Sequence, residues 1–195
     1  MWGGGVARAT GFAAALALTI LSSACGDLTR QGTASSYLIV NSLQAKSGDD
    51  GDFGTTLSSD VRTDDGGVFL DLGQVTLSLA MKDATSTVAP TTANFITINR
   101  YRVRFTRSDG RNTPGVDVPY GFDGAVTATV TGDAIAIPFE LVRVVAKLEA
   151  PLAALAQNPV VISTIAEITF YGHDQTGREV SVAGQMLVSF GNFAG

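Results

Sequence analysis

From about residue 36 onward, apolar and polar side chains alternate in steps of two over most of the chain. Val75, Leu77, Leu79 and Met81 interleave with Thr76, Ser78 and Ala80, and Tyr101, Val103 and Phe105 interleave with Arg100, Arg102 and Arg104. Val126, Ala128 and Val130 do the same with Thr127 and Thr129, and Ala166, Ile168 and Phe170 with Glu167 and Thr169. In the last run Val180, Val182, Met186, Val188 and Phe190 alternate with Glu179, Ser181, Gln185 and Ser189. Successive side chains of an extended chain point to opposite faces, so each run predicts a strand with one buried face and one wet face. Tyr37 to Ala45 is apolar on both sides at its centre, at Leu38, Ile39 and Val40, and predicts a central strand. Ser108-Asp109-Gly110-Arg111-Asn112, Thr131-Gly132-Asp133 and Asp174-Gln175-Thr176-Gly177-Arg178 separate the runs with residues that tolerate positive φ and suit hairpin turns. The pattern predicts an all-β fold, an antiparallel two-sheet sandwich of about seven to nine strands.

One segment departs from this period. Leu141, Val145, Leu148, Leu152 and Leu155 recur at steps of four and three, which is helical spacing, and Pro151 interrupts it. A strand from Ala134 to about Leu141 is therefore expected, followed by one short helix near 142–157. The hairpin Ile168-Thr169-Phe170-Tyr171-Gly172-His173-Asp174-Gln175-Thr176-Gly177-Arg178-Glu179-Val180-Ser181-Val182 resembles the closing hairpin of bacterial immunoglobulin-like or fibronectin-like modules. The resemblance implies an immunoglobulin-like sandwich over residues 36–195. Beyond residue 25 the chain has neither paired cysteines nor the core tryptophan of antibody-type domains, so the kinship it implies is architectural.

The first 25 residues carry an address. Arg8 precedes an apolar run from Phe12 to Leu21, the length of a secretion-signal core and well short of the ~20 residues that span a bilayer. Leu21-Ser22-Ser23-Ala24-Cys25 then resembles the lipobox of bacterial lipoproteins, with Ser22 standing where the family usually has Leu. The resemblance implies a signal peptide over residues 1–24, cleavage before Cys25, and a diacylglycerol with a further acyl chain on that cysteine. With Gly26 rather than Asp after the cysteine, it also implies export to the outer membrane of a Gram-negative envelope. Ordinary signal-peptidase cleavage is the alternative, because Ser22 and Ala24 form a small-x-small site before Cys25. Acylation accounts for the chain's single cysteine, which a secreted protein would otherwise expose as a free thiol. Residues 25–35 are polar and aperiodic and read as a flexible tether reaching roughly 30 Å at ~3.3 Å per residue.

Composition narrows the function. The 195-residue chain is 45% apolar and 16% charged with a net charge of −5, too apolar for a disordered chain and without the basic excess that nucleic acid requires. Removal of Arg8 with the leader leaves twelve basic side chains against eighteen acidic ones, net −6. Lipid rather than charge would then hold the protein to an anionic surface.

Candidate chemistry is sparse. The one histidine, His173, stands beside Asp174 at the mouth of the expected hairpin, and neither a Gly-x-Ser-x-Gly elbow nor a His-Glu-x-x-His helix is present. No enzyme activity and no cofactor are expected. Calcium needs only oxygen ligands, and Asp49, Asp50, Asp52, Asp60, Asp64 and Asp65 crowd one loop together with Gly48, Gly51, Gly54, Gly66 and Gly67, in a spacing that fits no EF-hand loop. A solvated acidic loop is the simpler reading of that stretch. Five basic residues gather within twelve positions, Arg100, Arg102 and Arg104 on one strand face with Arg107 and Arg111 at the adjoining turn. Their guanidinium forks suit the carboxylates or phosphates of an anionic glycan, a lipid or an envelope protein, unless cross-strand Asp or Glu already neutralises them. Tyr120, near Asp117 and Asp123, is a loop aromatic expected to pack down its own turn. Together these features predict a lipid-anchored envelope module, structural or interacting rather than catalytic, with anionic ligand capture as the alternative.

Overall fold

The alternating runs fold as the strands their period predicts. The computed structural model describes residues 33–48, 52–83, 85 and 90–193, all within the unit Gly32–Gly195. Cys25 and the leader lie outside the described residues. In chain order the strands are β1 (Ser36–Lys46), β2 (Thr56–Asp60), β3 (Asp71–Met81), β4 (Ile96–Thr106), β5 (Phe122–Val130), β6 (Ile135–Val142), β7 (Ile162–Asp174) and β8 (Glu179–Gly191). Between β6 and β7 the helical spacing resolves into a short helix, α1 (Val144–Leu148), and a 3-10 turn at Leu152–Gln157. Pro151 stands between them as the cap of that turn.

The strands form a three-stranded sheet, β1-β3-β6, and a five-stranded sheet, β2-β8-β7-β4-β5. The architecture is an all-β two-sheet sandwich, as the alternation predicts. Every pairing is antiparallel except that of β2 with β8, which run parallel from Thr56 opposite Leu187 to Asp60 opposite Gly191. β2 falls inside the stretch that sequence reads as an acidic loop. Its five residues bury only Leu57 and Ser59, too short a pattern for alternation to register.

Three expectations need correction. β1 is an edge strand, not a central one, and its apolar centre is explained by a bulge. The ladder to β3 shifts between Val40 and Ser42, so inward positions change phase from Leu38 and Val40 to Leu43 and Ala45, while Ile39 is left exposed. Thr131-Gly132-Asp133 is no hairpin, because it carries the chain from β5 in one sheet to β6 in the other. Ser108 to Asn112 is only part of a longer connection, residues 107–121, between the neighbouring strands β4 and β5.

Aromatic rings fill the space between the sheets, and two glycines make room for them. Tyr101 from β4 meets Phe139 from β6 edge-on at 5.3 Å, and Phe139 meets Phe170 from β7 at 5.2 Å. Each ring of the Tyr101–Phe139 pair lies over its cross-strand glycine, Phe139 over Gly73 and Tyr101 over Gly124. The Tyr101 hydroxyl also accepts the Glu140 N–H at 3.2 Å, a hydrogen bond from one sheet to the other. A Cβ at Gly73 would come within 2.3–2.7 Å of the Phe139 ring. Gly73→Ala should therefore destabilise the fold by about 1–3 kcal/mol through overpacking, whereas Gly54→Ala, with its nearest neighbour at 3.4 Å, should stay within about 0.5 kcal/mol; paired urea denaturation curves measure both.

Candidate functional site

The arginine strip is set by a local irregularity in β4. Its ladders to both neighbours shift between Ile98 and Arg100, which turns Tyr101, Val103 and Phe105 inward and leaves Arg100, Arg102 and Arg104 on the outer face. Arg102 grips Asp123 of β5 through two parallel bonds, Nε to Oδ1 at 3.0 Å and Nη2 to Oδ2 at 2.9 Å. Arg100 adds a longer contact of 3.7 Å to the same carboxylate, and its guanidinium lies 4.3 Å over the Tyr171 ring. The Arg102 hydrogen bonds, ahead of the neighbouring positive charges, hold the Asp123 carboxyl below its ordinary range.

The adjoining loop repeats the arrangement. Asp109 accepts from Arg107 through both carboxylate oxygens, and from Arg111 through its N–H at 3.1 Å and its Nε at 3.2 Å. The Arg107 bonds, followed by the Arg111 N–H, hold the Asp109 carboxyl far below the usual carboxylate range. Four of the five arginines thus already face a carboxylate. Arg104, opposite Glu167 of β7 in register, has no ion pair among the described residues. It borders an open groove of about 260 Å³ lined also by Arg102, Val103, Gly121, Phe122 and Asp123.

The other sequence candidates scatter. Asp49 and Asp50 lie outside the described residues. Asp65 caps its own turn, accepting the Thr63 hydroxyl and the Gly67 N–H. Those bonds, the Thr63 hydroxyl first, lower its pKa. Asp60 accepts the N–H groups of Arg62 and Phe193, each at 3.3 Å. Asp52 and Asp64 are exposed, and among the described residues no three His, Cys, Asp or Glu side chains converge as a metal site would require. His173 belongs to β7 rather than to the turn, half-buried and opposite Thr97 and Glu179.

Asp174 and Tyr120 serve their own turns. Asp174 accepts the Thr176 N–H and hydroxyl and the Arg178 N–H at 2.7–2.9 Å, and against the pull of burial these bonds keep its pKa low. Tyr120 lies over Gly115, packing down its turn as expected.

Sequence reasoning missed the most buried polar group. Lys147 Nζ of α1 contacts Asp71 Oδ1 of β3 at 2.8 Å, with the two side chains 1% and 0% exposed. Ser59 of β2 donates to Asp71 Oδ2 at 2.6 Å, and the Gly48 N–H donates to Oδ1 at 3.1 Å. Burial pushes the Asp71 carboxyl up in spite of these partners. Neither Lys147, off the leucine stripe of its helix, nor Asp71, between Leu70 and Leu72, carries a sequence signal of its burial.

No protein-family model, no curated protein and no solved structure matches the chain. The arrangement of charge is what the site offers: a strip of arginines held by two aspartates, and one guanidinium left over at a groove. If Asp109 is what quiets the loop, Asp109→Ala should free Arg107 and Arg111 and increase retention on a sulfated-glycan column, an effect that fades with added salt. Retention equal to wild type would show that the loop pairs do not set surface charge.

Proposed function

We propose that the protein is a lipid-anchored module of the bacterial envelope, non-catalytic, that displays its sandwich for structural or interaction purposes. The observation that carries this reading is the placement of the lipobox-like Cys25 eleven positions before the first strand. β1 starts at Ser36, whose hydroxyl donates to the Asn94 carbonyl at 2.7 Å, while Asn94 Nδ2 donates to the Ser35 hydroxyl at 2.7 Å. The chain therefore enters the sandwich at the end that holds the tight β7–β8 turn, since Ile96 at the start of β4 pairs with Asp174. The longer connections, 107–121 and 143–161, lie at the other end, where a tether of roughly 30 Å would present them away from a membrane. Two or three acyl chains suffice for stable anchoring at about 0.8 kcal/mol per buried methylene.

The second reading is capture of an anionic glycan or lipid by the Arg100–Arg111 face. It is favoured by Arg104 alone, since the remaining four arginines would have to leave Asp123 or Asp109 to bind a ligand.

Intact mass and fractionation of the membrane-extracted chain test the anchor. The expected result is a chain beginning at Cys25 and heavier by glycerol and acyl groups, with Cys25→Ser accumulating as uncut precursor. An unmodified chain beginning at Cys25 in the soluble fraction would replace this reading with a diffusible secreted protein.

A further inference from the structure

We propose that Asp71 and Lys147 condense into a side-chain amide, an intramolecular cross-link between β3 and α1. The proposal is independent of the lipid anchor. Nζ and Oδ1 are held at 2.8 Å with both side chains withdrawn from solvent, a fixed approach of the kind that gives intramolecular reactions effective molarities of about 10⁵–10⁸ M. The proton inventory of the ion pair is also unbalanced. An ammonium brings three protons, and among the described residues Asp71 Oδ1 is the one acceptor that Lys147 reaches. Asp71, by contrast, accepts three hydrogen bonds, from the Gly48 N–H and Lys147 on Oδ1 and from the Ser59 hydroxyl on Oδ2. An amide replaces the ammonium by a nitrogen with a single proton and removes two charges that are costly to bury.

The surrounding groups are placed for the chemistry. A proton passes from the Nζ ammonium to Oδ1, its hydrogen-bond partner, giving a neutral amine and a neutral acid, the direction in which burial already moves Asp71. The amine lone pair attacks Cγ to form the C–N bond, and the Ser59 hydroxyl stabilises the negative charge that collects on Oδ2. A second amine proton passes directly to Oδ1, the oxygen that Nζ already faces. The Cγ–Oδ1 bond then breaks, Oδ1 leaves as water and Oδ2 becomes the amide oxygen. Amine plus acid gives amide plus one water, with no oxidant or reductant required. The bond would close a covalent loop from residue 71 to residue 147, which encloses β3 to β6 and survives unfolding.

Intact and peptide mass of the full chain decide the matter. Once lipid is accounted for, the wild type should be lighter than its sequence by one water, about 18 Da. A tryptic digest should yield a branched peptide uncut at Lys147, and Lys147→Arg should restore the full mass. Asp71→Asn should condense with loss of ammonia instead, giving the same branched product. A wild-type mass equal to the sequence overturns the proposal without recourse to any variant. So does a water loss that persists in Lys147→Arg, since that would be a succinimide formed within the Asp71-Leu72 backbone.

Discussion

The contact between Asp71 and Lys147 ties together four parts of the chain that sequence keeps apart. Asp71 opens β3 in one sheet, Ser59 belongs to β2 in the other, Lys147 comes from the helix after β6, and Gly48 follows β1. Taking two charges out of water costs several kcal/mol per ion, and loss of one partner leaves the other uncompensated. The site therefore tolerates one arrangement of these elements, and that arrangement closes the end of the sandwich where the long connections emerge. Ionic or covalent, it fixes where α1 sits and where β2 must join β8.

The middle of the sandwich is held by a different device. Ring contacts at 5.2–6.1 Å among Tyr101, Phe122, Phe139 and Phe170 need the glycines opposite them, and the Tyr101 hydroxyl spans the sheets to a backbone amide. The outer face is quieter. Paired arginines and aspartates leave it charged but locally balanced. Four of the arginines are held in internal pairs, so an anion could engage them only by displacing Asp123 or Asp109.

Much of the fold was legible because a half-buried strand writes its period directly into the chain. β3, β4, β5, β7 and β8 carry that period. The spacing from Leu141 to Leu155 marked a helical interruption but not its packing, because Leu141 belongs to β6 and Val145 and Leu148 are exposed while α1 buries Lys147. What failed has identifiable causes. β2 is too short for a period, the bulge at Asn41 disguised an edge strand as a central one, and a Gly-Asp turn looks the same whether it closes a hairpin or crosses between sheets. The arginine strip was visible, and so was the possibility of carboxylate neutralisation. Its partners Asp123 and Asp109 follow from register and turn geometry, which single-sequence patterns do not contain. The Asp71–Lys147 pair was invisible because charged residues are expected at the surface, and only tertiary structure brings Gly48, Ser59, Asp71 and Lys147 to one point.

The most direct test of this account is a double-mutant cycle at that point, read by equilibrium unfolding. Lys147→Met alone should lose about 3–5 kcal/mol, because Asp71 is left buried without its counter-charge, and adding Asp71→Leu should recover a large part of the loss. A single variant that costs less than about 1 kcal/mol, or a double variant whose loss is the plain sum of the two, would show that the buried pair does not hold the sandwich closed.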